Sequence, residues 1–163
     1  MKLDDLRRRA ATSGSKLLLV GSDVERLSVV AESLLGDGFP SVQVVGTPEL
    51  NPLRHPRHAA VAALLRSREP DWIRDGIHAL DMALDPVRFG LGLLGLGDVD
   101  AVVSFGIEPR RLADAARWTL GEATDGAPPG SASWLALPDG RLLACADCVF
   151  EPQADAAGRA RLA

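Results

Sequence analysis

The stretch Asp85–Gly106, DPVRFGLGLLGLGDVDAVVSFG, decides the fold that the sequence predicts. Asp85 and Pro86 are typical of a helix start, because an aspartate can cap the first free amides and proline has no amide hydrogen to lose at the first helical position. A largely apolar run follows and ends at Gly97-Asp98. A short strand is then predicted at residues 101–105. An apolar helix that leads into an apolar strand indicates the centre of an α/β core.

The composition is that of a globular protein. The chain has 163 residues, of which 47% are hydrophobic and 25% are charged. This is enough to bury a core and too apolar for a disordered chain. We therefore expect a single domain over residues 1–163. The net charge of −4 argues against a nucleic-acid partner, because nucleic-acid binding depends on positive charge.

The sequence contains no run of 18 apolar residues, and its N-terminus, MKLDDLRRR, lacks the apolar segment of a signal peptide. We therefore expect a cytoplasmic protein that has no membrane partner. Two cysteines do not make a disulfide framework in a chain of this length.

The N-terminal part of the chain predicts a strand, a helix and a second strand. The nearly continuous apolar run Lys16–Val20 predicts a strand that is buried on both faces. Ser22, with Glu25 three residues later, predicts a capping box at the start of a helix that Gly36 ends. Residues 42–45 predict the second strand, so that the three elements form a right-handed βαβ unit.

Further helices are predicted at residues 56–67, 71–84 and 110–120, and residues 51–57 are predicted to be a surface loop. Residues 131–149 predict a β-hairpin with an Asp-Gly turn. The fold class that these elements predict is α/β. We expect a three-layer α/β/α domain with a mostly parallel sheet, which this antiparallel β-hairpin near the C-terminus extends.

Gly90, Gly92 and Gly95 match the spacing of a dinucleotide-binding fingerprint. That fingerprint needs a strand before it and a helix after it, whereas here a helix start precedes the glycines and a strand follows them. We interpret the three glycines as positions at which a buried helix packs closely against its neighbours.

Cys145, Cys148, His55 and His58 are candidate zinc ligands. However, residues three apart on a regular strand point to opposite faces, and the histidines lie far away in a proline-containing loop. A structural zinc site needs four ligands in tetrahedral geometry. We therefore expect no metal site, and we interpret both cysteines as small apolar residues.

The motifs of the central stretch recur in a known family. Asp85-Pro-Val-x-Phe-Gly, the Leu-Gly-Asp helix end and Asp100-Ala-Val-Val-Ser follow one another in the same order in phosphate acetyltransferases and phosphate butyryltransferases, so the chain resembles this family. Shorter matches extend the resemblance from about residue 17 to residue 163, at Gly21–Arg26, Ala113–Arg117, Ser133-Trp134, Leu137–Gly140 and Ala146–Cys148. The resemblance implies the N-terminal lobe of a two-lobed α/β enzyme, without the second lobe.

The resemblance also implies a coenzyme A or phosphate site. Arg66 falls on the position of an arginine with which the family holds coenzyme A, although Glu69-Pro70 replaces the Lys-Gly that follows it in the family. Arg117 falls on a second arginine, which is implicated in binding coenzyme A or the substrate phosphate. Ser104 and Ser133 complete the candidate set. No residue is assigned a catalytic role.

The residues by themselves leave a plainer interpretation open. Arg66 also reads as a solvated arginine at a helix end, where the helix dipole favours a cation. Arg110 and Arg117 lie two helical turns apart, with Arg111 beside them, and this arrangement also fits a solvated basic face.

The family's reaction is reversible acyl transfer between coenzyme A and phosphate, in which acetyl-CoA and phosphate give acetyl phosphate and CoA. The resemblance therefore implies a transferase whose ligand is coenzyme A or an acyl phosphate and which needs no cofactor. Family members are longer, so we expect this chain to need a second-lobe chain or a homo-oligomer for activity. Two alternatives stay open: a non-catalytic binding module for coenzyme A or phosphate, and a degenerate subunit that regulates or scaffolds a full-length acyltransferase.

Overall fold

The computed structural model describes residues 3–68, 71–121, 132–139 and 141–146. The chain forms two compact units, one of residues 11–121 and one of residues 1–10 together with 122–163. The expected single domain over residues 1–163 stays a prediction. The helices and strands, in chain order, are α1 (Leu3–Ala11), β1 (Lys16–Gly21), α2 (Val24–Gly36), β2 (Ser41–Val44), a 3-10 turn (Pro52–Arg54), α3 (His58–Arg68), α4 (Gly76–Met82), α5 (Pro86–Gly95), β3 (Ala101–Phe105), α6 (Pro109–Leu120), β4 (Ala132–Ala136) and β5 (Leu142–Ala146).

A parallel three-stranded sheet forms the centre of the larger unit. Its strand order is β2-β1-β3, and Leu18 of the middle strand pairs with Gln43 on one side and with Val102 on the other. Leu18, Leu19 and Val20 are completely buried, which confirms that the apolar run forms a strand covered on both faces.

The core lies in two layers, one on each face of this sheet. Leu18 and Val20 belong to a large apolar cluster that includes residues of α3 and α5. Leu19 belongs to a second cluster with Leu27 and Ala31 of α2. Because side chains alternate across a strand, α2 covers one face, and helices α3, α4, α5 and α6 contribute to the core on the other. The predicted α/β class with helical layers on both sides of a parallel sheet is confirmed.

Helix α5 begins as the sequence predicts. The Asp85 side chain accepts hydrogen bonds from the amides of Val87 (3.1 Å) and Arg88 (3.0 Å), and Pro86 occupies the first helical position. The helix is buried along most of its length. The central stretch therefore forms the expected apolar helix that leads into β3.

The glycines of α5 are packing positions, as predicted. A Cβ atom on Gly90 would lie 2.8 Å from Cγ1 of Val20, and one on Gly92 would lie 2.5 Å from Cγ1 of Val61. Both distances are too short for carbon atoms in contact. The glycines thus let α5 approach β1 and α3 more closely than any other residue would allow.

The start of α2 differs from the prediction. Asp23, and not Ser22, caps the helix, since its side chain accepts a hydrogen bond from the amide of Arg26 at 3.0 Å. The third helical position is therefore Arg26, so Glu25 cannot complete the predicted capping box. A carboxylate cap is also favoured by the positive end of the helix dipole.

The helix predicted at residues 71–84 is shorter in the structure. Asp75, in extended conformation, caps α4 by accepting from the amide of His78, so the helix begins at Gly76. Trp72 precedes the helix. The predicted helix 56–67 begins later, at His58, and the predicted loop 51–57 contains a 3-10 turn.

The predicted hairpin is present but does not extend the parallel sheet. β4 and β5 pair in antiparallel register, with Ser133 opposite Cys145, and form a two-stranded sheet of their own among the described residues. The amide of Leu137 donates to the carbonyl of Arg141 at 2.9 Å and closes the turn. Gly140 of the predicted Asp-Gly turn and the end of the predicted hairpin, residues 147–149, lie outside the described residues.

In the described ranges, no helix has the length and apolar character needed to cross a membrane.

We expect Gly92→Ala to lower the free energy of unfolding by about 1–3 kcal/mol, the usual cost of inserting a carbon into a packed core. The added Cβ would meet three atoms of Val61 at 2.5–3.2 Å. The matched control is Gly36→Ala at the end of α2, where no atom lies within 4 Å of the new Cβ and alanine is the better helix former. Urea denaturation of both variants measures the difference, and equal stabilities would contradict the close packing.

The bidentate ion pair between Arg57 and Asp98 is expected to make the free energy of unfolding depend on pH in the acidic range. Arg57 donates from Nε to Oδ2 of Asp98 at 2.8 Å and from Nη2 to Oδ1 at 2.6 Å, and these hydrogen bonds lower the pKa of Asp98. A carboxyl group whose pKa is lowered by folding stabilises the protein above its unfolded-state pKa, about 3.9, and loses that contribution as the pH falls through the folded-state pKa.

We therefore expect Asp98→Asn to be less stable than the native chain at pH 7, with a difference that shrinks below about pH 4. Denaturant titrations at several pH values measure it. The exposed Asp81 of α4 provides the control variant Asp81→Asn. A stability difference for Asp98→Asn that is constant from pH 7 to pH 3 would show that the ion pair does not contribute.

Candidate functional site

The carboxyl ends of β1 and β3 mark the edge of the sheet at which a ligand site is expected. The chain leaves β1 through α2 toward β2 on one side, whereas β3 lies on the other side. Open α/β sheets bind ligands where neighbouring strands diverge in this way. Gly106 follows β3 with φ 67°, and a Cβ atom on it would lie 3.5 Å from Oγ of Ser22. The loops that follow the two strands therefore meet.

A cleft of about 430 Å³ lies between the start of α5 and helix α6. Its lining combines three arginines with three acidic residues and an indole. The lining residues are Asp85, Arg88, Glu108, Arg110, Arg111, Asp114, Ala115 and Trp118.

Two of the acidic residues are held by the protein itself. Glu108 caps α6, since its carboxylate accepts from the amides of Arg110 (3.3 Å) and Arg111 (3.2 Å). Asp85 caps α5 and also accepts from Nη2 of Arg111 at 2.6 Å. This carboxylate therefore joins the start of one helix to the side of the other.

Arg88 is the most constrained cation of the cleft. Its guanidinium carbon lies 5.2 Å from the ring centre of Trp72 and 5.8 Å from that of Trp118, and the two rings are 5.1 Å apart. Its Nη1 donates to the sulfur of Met82 at 2.9 Å. Burial lowers the pKa of Arg88, while the nearby Asp85 opposes that shift. Because an arginine pKa is so high, the side chain stays charged.

A second depression, of about 550 Å³, lies between α3 and α4. Its walls are made of small and apolar residues, and Arg66 is the one charged side chain among them. The lining residues are Ala59, Ala62, Ala63, Arg66, Ser67, Gly76, Ala79 and Leu80. A Cβ atom on Gly76 would lie 3.7 Å from Nη1 of Arg66, so the absence of a side chain there leaves room beside the guanidinium.

The four residues implied by the resemblance lie on four different elements. Arg66 lies in the last turn of α3, in the groove between α3 and α4. Ser104 lies in β3, half-buried and paired with Val20. Arg117 lies in the last turn of α6 and is exposed; the cleft between α5 and α6 is lined instead by Arg110 and Arg111. Ser133 belongs to the two-stranded sheet of the other compact unit, and its side chain is not among those that the structure describes. The assignment of these four residues to one site stays a prediction.

The sequence did not point to the Arg88 cluster. Arg88 carries a charge in the first turn of an otherwise apolar helix, where the helix dipole disfavours a cation, and this is the one local signal that was present. Trp72 and Trp118 are 46 positions apart in the sequence. The packing of α6 and of the segment before α4 against the start of α5 brings both indoles to the same guanidinium.

The histidines that were weighed as zinc ligands are engaged elsewhere. Nδ1 of His55 accepts from the amide of Arg57 at 3.2 Å, and Nε2 of His58 lies 2.9 Å from the carbonyl oxygen of Leu80. Cys148 lies outside the described residues. Within the described part of the chain, no group of three or more histidine, cysteine or acidic side chains is placed to hold a metal ion.

Comparison with known proteins identifies the fold. No protein-family model matches the chain, and no curated protein matches it in sequence. Among solved structures, the EutD phosphotransacetylase from Staphylococcus aureus has a TM-score of 0.79 at 18% sequence identity, over 100% of this chain and 56% of that protein. The chain thus spans little more than half of the length of its structural neighbour. At this identity the likeness shows the fold alone, and that fold is phosphotransacetylase-like.

Proposed function

We propose that this chain is a phosphate acyltransferase-like protein that binds coenzyme A or an acyl phosphate. The reaction would be acetyl-CoA plus phosphate to acetyl phosphate plus CoA. The observation that supports this most is the match of the whole chain to a phosphotransacetylase at a TM-score of 0.79. A fold alone hosts many functions, so the proposal also depends on what the surface of the larger unit offers to such a ligand.

The groove between α3 and α4 suits a long ligand that has apolar and anionic parts. Its volume, about 550 Å³, falls in the usual range for small-molecule sites, roughly 300–1,000 Å³. The alanine-rich walls would contact the methylene and methyl groups of a flexible chain such as the pantetheine arm. Arg66 at the end of α3 would pair with a phosphate of the same ligand, since a guanidinium matches two phosphate oxygens with parallel hydrogen bonds.

Arg117 supplies a second cation on a separate helix. It lies in the last turn of α6 and is exposed. Acyl transfer to phosphate brings together two anionic reactants. The site therefore needs positive charge to hold both reactants, and it must also fix them in the orientation in which they react. In this proposal Arg66 and Arg117 bind the ligand, Ser104 and Ser133 are additional candidate contacts, and the catalytic residues are unassigned.

Turnover is a separate step of the proposal. The chain covers 56% of its structural neighbour, and we propose that the transfer reaction also draws on groups from a second lobe, whether of the same protein, of a second-lobe chain or of a homo-oligomer. Ligand binding and turnover by this chain are therefore measured separately.

A regulatory or scaffolding subunit is the second candidate function, and one surface feature favours it. Ile77 is 79% exposed and Leu80 is 40% exposed on α4, and Trp72, which precedes the helix, is 47% exposed. Apolar side chains grouped on one short segment are typical of a surface that contacts another protein. Binding of coenzyme A distinguishes the two candidates, because a scaffold does not need it.

We expect calorimetric titration of coenzyme A into the native chain to show binding, and the double variant Arg66→Ala, Arg117→Ala to weaken it about tenfold or more, because each arginine would lose a charge-assisted hydrogen bond to phosphate. Arg54→Ala, on the exposed 3-10 turn, is the control for loss of one positive charge.

Release of the coenzyme A thiol from acetyl-CoA on addition of phosphate measures turnover in the same samples. Binding that the double variant removes, without turnover, supports the binding site and leaves the partner to be found. Absence of binding in the native chain overturns the proposed acyltransferase-like function and leaves the scaffold.

A further inference from the structure

Arg88 is a half-buried cation for which the described part of the protein supplies no anion within hydrogen-bond distance. A guanidinium has five N–H donors. Among the described residues, the acceptor that these donors reach is the sulfur of Met82, at 2.9 Å from Nη1. The indole rings of Trp72 and Trp118 contact the guanidinium through their π-systems, which attract the cation but accept no in-plane hydrogen bond. The donor edge of Arg88 is therefore largely unused.

The acidic residues of the cleft do not use this edge either. The carboxylate of Asp85 bonds to Arg111 and to two backbone amides of α5, one of them the amide of Arg88 itself. The carboxylate of Glu108 bonds to two amides of α6. Asp114 is exposed and has no hydrogen bond or ion pair within the described residues. The carboxylates of Asp85 and Glu108 are thus matched by amides and by Arg111, and no carboxylate among the described residues of the cleft bonds to the side chain of Arg88.

The surroundings of Arg88 also fix its orientation. Two adjacent indole rings contact the guanidinium and a thioether contacts Nη1, so the planar fork is held in place before any ligand arrives. Preorganised donors of this kind bind an oxyanion with little loss of side-chain freedom. Partial burial strengthens such a contact, because water screens it less.

We propose that the cleft between α5 and α6 binds a small molecule through an oxyanion group, with Arg88 as the anchoring donor and Arg110 as a second cation at the mouth. The oxyanion is a phosphate or a carboxylate, since both present two oxygens to the guanidinium fork. The cleft volume, about 430 Å³, admits a ligand of modest size, and Trp118 gives it an apolar wall. This site uses neither Arg66 nor Arg117 and does not depend on the proposed function.

The test is calorimetric titration of the full chain with inorganic phosphate and, separately, with acetate. Chloride at the same ionic strength is the reference anion. Arg88→Met keeps an unbranched stem beside the indole rings and removes the charge and the fork. Arg88→Lys keeps the charge and removes the fork. Arg54→Met, on the exposed 3-10 turn, is the control. Circular dichroism verifies that each variant is folded.

We expect phosphate or acetate to bind more tightly than chloride, and Arg88→Met to weaken that binding roughly tenfold or more, as for the loss of a charge-assisted pair. Arg88→Lys should weaken it less, and Arg54→Met should leave it unchanged. Binding of phosphate alone identifies a phosphoryl ligand, and binding of acetate alone identifies a carboxylate ligand. Either outcome supports the site.

Tryptophan emission gives an independent readout. The chain has three tryptophans, so Trp134→Phe leaves only Trp72 and Trp118 as reporters. Addition of the bound anion should change their emission with the same midpoint as calorimetry, and Arg88→Met should abolish the change. If neither anion binds more tightly than chloride, or if both Arg88 variants bind as the native chain does, the site is not there. Should Arg88→Met fail to fold, Arg88→Lys decides in the same way.

Discussion

The close contact of α5 with β1 and α3 is the constraint on which the core of the larger unit depends. Gly90 lies against Val20 and Gly92 lies against Val61 at distances that leave no room for a Cβ atom. The helix therefore packs directly against the central strand and α3, and the distance between them is short because glycine has no side chain at these two positions. Because the axis of α5 is fixed in this way, its first turn carries Arg88 to the side of α6.

The distribution of charge follows from this arrangement. Helices α2, α5 and α6 each begin with an acidic cap, Asp23, Asp85 and Glu108 respectively. Each carboxylate satisfies amides that would otherwise face solvent or a ligand. In a phosphate-binding helix start, those amides serve the anion directly. Here the caps occupy them, and the positive charge of the two depressions described above comes from arginine side chains.

Local features of the sequence were enough to predict much of the fold. The buried strand β1 follows from an unbroken apolar run, and the start of α5 follows from Asp85-Pro86, since both depend on neighbouring residues alone. The predicted cap of α2 was wrong because Ser22 and Asp23 are adjacent and both are good capping residues. The backbone conformation at the start of the helix decides between them, and the sequence does not specify it. The helix before Asp85 was predicted too long because Trp72 has helical spacing to the apolar residues of α4. In the structure Asp75 caps α4, and the Trp72 ring contacts Arg88 and Trp118 as well as His78. The family resemblance indicated Arg66 as a candidate binding residue, but it did not predict the groove between α3 and α4 in which Arg66 lies. The Arg88 cluster needed three-dimensional packing, since its two indoles come from separate parts of the chain.

One carboxylate has a consequence for how the larger unit opens. Asp85 holds two amides at the start of α5 with Oδ1 and the guanidinium of Arg111 on α6 with Oδ2. Fraying of the first turn of α5 therefore also breaks the link to α6, and separation of the two helices removes support from the cap. Local fluctuations in proteins follow such shared contacts, and segments that share them open together. We therefore expect the first turns of α5 and α6 to open as one cooperative unit, so that the walls of the cleft between them are gained and lost together.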